Sequence, residues 1–124
     1  MTEQASPQIG QTPLLGQEVR LARHPKGALT LDNFDLVEVD VPEPGPGAVL
    51  VRTDYIGLSV AYLEMMHADS QLPVTPWEVG WRLGAGTVGT VLRSNSTDLA
   101  EGDLVQGFTG WGEYSVGPAG ARRR

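Results

Sequence analysis

Apolar and polar residues alternate with period two along much of this chain, and such alternation predicts strands with one face in a core. Over Phe34–Val41, FDLVEVDV, the period places Asp35, Val37, Val39 and Val41 on one face. Phe34, Leu36, Glu38 and Asp40 fall on the other. Ala48–Tyr55, AVLVRTDY, predicts a second strand with Val49, Val51, Thr53 and Tyr55 together. Between them runs Pro42-Glu43-Pro44-Gly45-Pro46-Gly47, a rigid turn that no regular element could cross. An earlier strand, Val19–Ala22, stops at His24-Pro25-Lys26-Gly27, a turn by composition. Later strands are predicted from Gly84 to Val91, from Leu104 to Phe108 and from Trp111 to Val116, with Ser94–Asp98 as a polar break.

The single helical pattern is Ser59–Ala68, SVAYLEMMHA, for which Ser59 is the expected N-cap. Val60, Leu63 and His67 share one face of it, and Tyr62, Met65 and Met66 the adjoining one. Gln71–Trp81, broken by Pro73 and Pro76, reads as an irregular crossing. Met1–Gly16 is polar with two prolines and no sustained period, and is expected to be a flexible arm, with Leu14-Leu15 available to pack on the body or on a partner chain. The body, residues 17–124, is then one domain, mainly β with one short helix.

Composition narrows this picture. Sixteen glycines and nine prolines lie between short β-rich runs, which favours a barrel or sandwich over helices. Cysteine is absent, which excludes a disulfide framework and a thiolate metal site. The two histidines, His24 and His67, lack metal-ligand spacing, so no metal is expected. No stretch approaches a membrane span, and the N-terminus lacks the order of a signal peptide, so a cytoplasmic, soluble protein is the expectation. A formal charge of −6, with Arg122-Arg123-Arg124 the one basic cluster, argues against nucleic-acid binding.

Gly84, Gly86 and Gly89 have the GxGxxG spacing of a dinucleotide-binding turn. That turn needs a helix opening on the glycines and an acidic residue about 20 positions on. Thr87-Val88-Gly89-Thr90-Val91 is β-branched where the helix should begin. The glycines are therefore read as barrel glycines, where backbone bends or approaches closely, and no cofactor is assigned to the chain.

The order Ala48–Tyr55 after the Pro-Gly turn, Leu58-Ser59-Val60, Gly84–Val91, Gly102-Asp103-Leu104-Val105, Gly107-Phe108, Gly110-Trp111 and Glu113-Tyr114 resembles one family. It is similar to the N-terminal, GroES-like barrel domain of the zinc-free medium-chain reductases, in the alkenal, leukotriene and prostaglandin reductase branch. The resemblance runs from about Val19 to Val116 and implies a partly open β-barrel. In that family a Rossmann domain follows, binds NADPH and serves hydride transfer to an activated alkene. No such domain is legible in these 124 residues. The family's Asp-Pro-Tyr-Met-Arg run is also replaced here by Ala61-Tyr62-Leu63-Glu64-Met65.

The candidate chemistry lies in the helix and the crossing. Glu64 and His67, three apart, can reach one side of a helix, where the carboxylate would fix the imidazole tautomer for acid–base work; a solvated surface pair is the plainer alternative. Tyr62, Met65 and Met66 line an apolar pocket or pack the helix on the barrel. Trp77 and Trp81 flank Glu78, whose charged form two indoles would disfavour, unless it faces water. Tyr62, Glu64, His67 and Glu78 are the candidate catalytic residues; Met65, Met66, Trp77, Trp81 and Trp111 are the candidate substrate contacts. All of these but Trp111, for which a purely structural role is the alternative, are expected to line one concave pocket. A barrel without nucleotide could fold a hydrophobic polyene or enone of polyketide type and promote its cyclisation, cycloaddition or rearrangement as a cofactor-free enzyme. Two alternatives stay open: one half of a split NADPH-dependent enone reductase, or a binding module without catalysis. Loss of a partner domain would leave apolar surface, so a homodimer is expected.

Overall fold

A computed structural model describes residues 14–124 of the chain. Six strands and one helix follow in order: β1 Leu14–Leu21, β2 Phe34–Val41, β3 Ala48–Ile56, α1 Val60–Met66, β4 Gly86–Ser94, β5 Leu104–Phe108 and β6 Tyr114–Pro118. The fold is mainly β with one short helix, a GroES-like, partly open barrel. Among the described residues no helix is long and apolar enough to cross a membrane.

β1 and β2 pair antiparallel along their whole length, from Leu14 opposite Val41 to Leu21 opposite Phe34. β1 thus starts within the stretch expected to be a flexible arm: Leu14, Leu15 and Gly16 are strand residues, and the rest of that stretch lies outside the described residues. On β2, Val37, Val39 and Val41 are half-buried while Glu38 and Asp40 face out, as the alternation predicts.

The second sheet has the order β5-β4-β3-β6, all antiparallel. β3 is central, and its first half breaks the simple alternation. Val49, Leu50 and Val51 are all buried, because a strand with neighbours on both edges and cover on both faces has no solvent side. β4 keeps the period, with Thr87, Gly89 and Val91 inward. Val49, Val51, Val91, Leu99, Val105 and Ala119 form one core cluster. The other is Leu21, Met66 and Leu83, with Val19, Phe34, Trp77 and Trp111 packed against it.

Backbone hydrogen bonds tie β1 to the segments that lead into β4 and β6. Val19 N–H donates to the Trp111 carbonyl (2.8 Å), Leu21 N–H to that of Trp81 (2.9 Å), and Leu83 N–H to that of Val19 (3.0 Å). Arg82 reinforces the seam, paired with Glu18 of β1 (3.2 Å) and donating to the Tyr114 carbonyl (2.9 Å).

Gly89 shows what a barrel glycine does. A Cβ there would stand 2.3 Å from the carbonyl oxygen of Arg52 and 2.6 Å from a Val51 methyl. The pairing of β3 with β4 also shifts register between Thr53 and Tyr55, so the strands close tightly where no side chain fits. Gly89→Ala is expected to destabilise the domain by about 3 kcal/mol, at the upper end for overpacking. Gly45→Ala, where a Cβ meets nothing within 4 Å, should change stability by under about 0.5 kcal/mol. Urea unfolding of the two variants beside the parent checks both values.

Candidate functional site

The site begins with a helix too short to stand alone. α1 has seven residues, and a helix of that length leaves most of its terminal backbone groups unpaired. At its start the Ser59 hydroxyl accepts from the Ala61 N–H (3.2 Å), so the predicted N-cap is in place. At its end the pattern ran two residues too far: His67 is the C-cap, in extended conformation. No glycine closes this end in a left-handed turn. Its last four carbonyls are instead taken one by one. The His67 ring Nδ1 meets that of Leu63 (2.8 Å) and the His67 backbone N–H that of Glu64 (3.1 Å). Trp77 N–H donates to Met65 (2.7 Å), and the His24 ring Nδ1 meets Met66 (2.8 Å).

These bonds fix the helix so that Tyr62 points toward β4 and β5. Its phenol oxygen accepts the Gly86 N–H (3.1 Å). Its ring lies 5.8 Å from that of Trp77 and 6.3 Å from that of Phe108, the latter nearly edge-on, arrangements that favour aromatic pairs. Gly84 makes room for this group. A Cβ there would stand 2.8 Å from Phe108 and 2.9 Å from Trp77.

Beside this aromatic wall opens a cleft of about 630 Å³, lined by the ends of β3, β4 and β5, with Tyr55, Val88, Gln106 and Phe108 among its residues. That volume is of the size that holds small organic ligands. Tyr55 and Phe108 are 73% and 67% exposed, which leaves their faces free for contact. Arg123, at the rim, is the one charged residue of its lining. It is placed by a backbone bridge to Gln106.

The expected single pocket does not form. Tyr62 and Trp77 stand together in the aromatic wall. Met66 is 2% exposed and packs with Leu21 and Leu83 as core, and Met65 is half-buried, holding Trp77 through its carbonyl. Glu64 and Glu78 face solvent and Trp81 is 47% exposed. Trp111 is elsewhere, stacked on Phe34 at 6.1 Å and lining a second, smaller cleft of about 290 Å³ with Thr53 and Ile56. The Trp111 indole nitrogen and the Thr53 hydroxyl are buried there without a protein partner. His67 is not oriented by Glu64. Its two ring nitrogens face the Leu63 and Gly27 carbonyls. These two contacts, the Leu63 one foremost, raise its pKa above the ordinary imidazole value; partial desolvation opposes them, and Asp69 and Glu64 add to the rise. Sequence reasoning missed Tyr55, Gln106, Phe108 and Arg123. The signal was present for two of them: period two on β5 puts Leu104, Gln106 and Phe108 opposite buried Val105.

No nucleotide-phosphate cradle is built from the GxGxxG glycines. Gly86 and Gly89 lie inside β4, and the chain continues as strand to Ser94. Among the described residues no group of three His, Cys, Asp or Glu is placed to hold a metal.

Residues 17–123 match the model of a family described as the N-terminal domain of oxidoreductase. The chain belongs to this family. It is 37% identical over 108 residues to the NADPH-dependent curcumin reductase of Escherichia coli (strain K12), a match covering 87% of this chain and 31% of the relative. The fold is similar to crystal structures of CurA from Vibrio vulnificus, alone (TM-score 0.78) and in complex with NADPH (TM-score 0.76). Each is 31% identical, and each match covers 82% of this chain and 30% of that one. The oxidoreductase N-terminal domain thus spans about a third of the length of the curated relatives it matches. These relatives lend no support to the cyclisation, cycloaddition or rearrangement chemistry expected from the sequence.

In this oxidoreductase domain the sites separate by role. Met66→Ala should cost about 2–5 kcal/mol, the range for emptying a packed core position. Glu64→Gln and Glu78→Gln should each stay within about 0.5 kcal/mol of the parent, as exposed changes do. Thermal unfolding of the three variants distinguishes core from surface.

Proposed function

We propose that the chain is the substrate-binding, N-terminal part of an NADPH-dependent reductase acting on conjugated carbonyl compounds. The observation that carries this reading is its match to about a third of an NADPH-dependent curcumin reductase. Hydride is not this chain's to supply, and the nucleotide belongs to a domain beyond the residues matched here.

What the chain contributes is a surface and a proton donor. The cleft offers aromatic and aliphatic contact through Tyr55, Ile56, Val88 and Phe108, which suits a flat, conjugated substrate. Tyr62 stands at its edge. Its phenol oxygen already accepts the N–H of Gly86, a lining residue, which leaves the O–H to donate to a substrate carbonyl oxygen. Charge accumulates on that oxygen as the conjugated system is reduced, so a donor fixed there acts where the transition state needs it. The Gly86 N–H in turn stabilises negative charge on the phenol oxygen as it gives up the proton. Tyr55, Leu58, Val60 and Phe108, all strongly exposed, form the apolar margin that a nucleotide-binding domain would cover; left uncovered, it is where two copies of the chain would meet.

The test is a fusion in which this chain replaces the matched N-terminal segment of the Escherichia coli reductase. It should oxidise NADPH only when an enone is present. Tyr62→Phe in the fusion should lower kcat by ~10²-fold or more, the range for losing a positioned proton donor, while Trp81→Ala should leave it within about twofold. A folded fusion that binds NADPH and turns over no enone overturns the reading.

A further inference from the structure

The protein's two histidines tie the same two pieces of backbone together in opposite directions. His24, in the loop after β1, reaches the Met66 carbonyl at the end of α1 (2.8 Å). His67, which caps α1, reaches back to the Gly27 carbonyl in that loop (3.1 Å) as well as to Leu63 in its own helix (2.8 Å). Only a ring N–H can donate to a carbonyl. His24 needs one such donor and has it in the neutral Nδ1–H form. His67 needs two, and only the imidazolium carries two.

We propose that His24 and His67 are positioning residues that hold α1, and with it Tyr62 and Trp77, against the cleft, His24 as a permanent tie and His67 as one that deprotonation loosens. When His67 loses a proton, one of its nitrogens turns a lone pair toward a carbonyl oxygen, and one contact must go. The longer one, to Gly27, joins the helix to the loop. Because Trp77 hangs from the Met65 carbonyl and Tyr62 sits a turn earlier on the same helix, slack at this end reaches the aromatic wall.

The charged groups around His67 agree with this assignment. Glu64 on α1 and Asp69 in the following turn favour its protonated form. On the facing loop, Lys26 is the nearest cation in sequence to Gly27, and Arg23 is engaged by Asp32 (3.0 Å). Since the folded state raises the pKa of His67, the tie is at full strength below the unfolded imidazole value of about 6.5. It is lost as pH rises through the higher folded value.

The catalytic consequence rests on the reductase reading, but the test does not. NMR titration of the chain, without nucleotide or substrate, follows the two histidine rings, the Tyr62 ring and the Trp77 indole from pH 5 to 9. Amide exchange at Trp77 is measured at both ends and corrected for intrinsic rate. The expected result is a His67 midpoint above about 6.5, shared by the Tyr62 and Trp77 signals. Exchange at Trp77 should quicken about fivefold at high pH, the weight of one ordinary hydrogen bond. In His67→Gln, whose amide does not titrate, the Tyr62 and Trp77 signals should be flat over the range. Tyr62 and Trp77 signals that ignore the His67 midpoint in the parent, or that keep it in His67→Gln, overturn the proposal. Failure of the fusion to reduce an enone would leave it standing.

Discussion

The four carbonyl groups at the end of α1 decide where the wall of the cleft stands. A seven-residue helix cannot satisfy them from within, and each is met by a group from its own cap or from a distant loop: the His67 ring, the His67 backbone, Trp77 and His24. This makes the helix a dependent element. Its orientation is dictated by the loop after β1 and by the crossing that leads to β4, and Tyr62 is carried along. The contact of His24 with Met66 is partly buried, where an unmet carbonyl costs more than the bond itself contributes, so the loop and the helix end hold together.

The sheet supplies the complementary constraint. Gly89 lets β3 and β4 approach where a methyl group would strike the Arg52 carbonyl, and Gly84 lets the rings of Trp77 and Phe108 close over the same backbone. The spacing that looks like a nucleotide turn therefore serves packing, and α1 meets the lining of the cleft from outside, through the contacts of Tyr62 with Gly86 and Phe108. A helix held by its carbonyls and a strand that opens on a glycine meet at the Gly86 N–H and the Tyr62 phenol. That meeting is the strongest chemical feature of the domain.

Much of this was legible in the chain. Period two located β2, and the apolar run after Gly102-Asp103 located β5, with the bounds the structure has, and Ser59 announced the start of α1, because these signals are local. The start of β1 was not, because Leu14-Leu15-Gly16 becomes strand only by pairing with Val39–Val41, more than twenty residues away. The candidate site failed for the same reason. Residues grouped by nearness in sequence were separated by a crossing without regular period, which turns Trp77 inward and leaves Glu78 and Trp81 outside. Phe108 on β5 and Arg123 in the C-terminal segment, which border the actual cleft, are brought together only by the folded topology. The glycines, judged by what followed them, were read correctly. The resemblance to a reductase barrel named the right family, and the reading of a cyclase went beyond anything the residues carry.

In the proposed division of labour this chain holds the substrate and the nucleotide is held elsewhere. This division is tested most directly by recording backbone amide spectra of the chain while adding NADPH and a soluble conjugated enone separately. The account predicts that the enone shifts Ile56, Gly86, Thr87, Gln106 and Phe108 in a saturable manner, and that NADPH alone produces no saturable shift at Gly84, Gly86 or Gly89. Saturable NADPH binding at those glycines, with no response of the cleft to the enone, would contradict it.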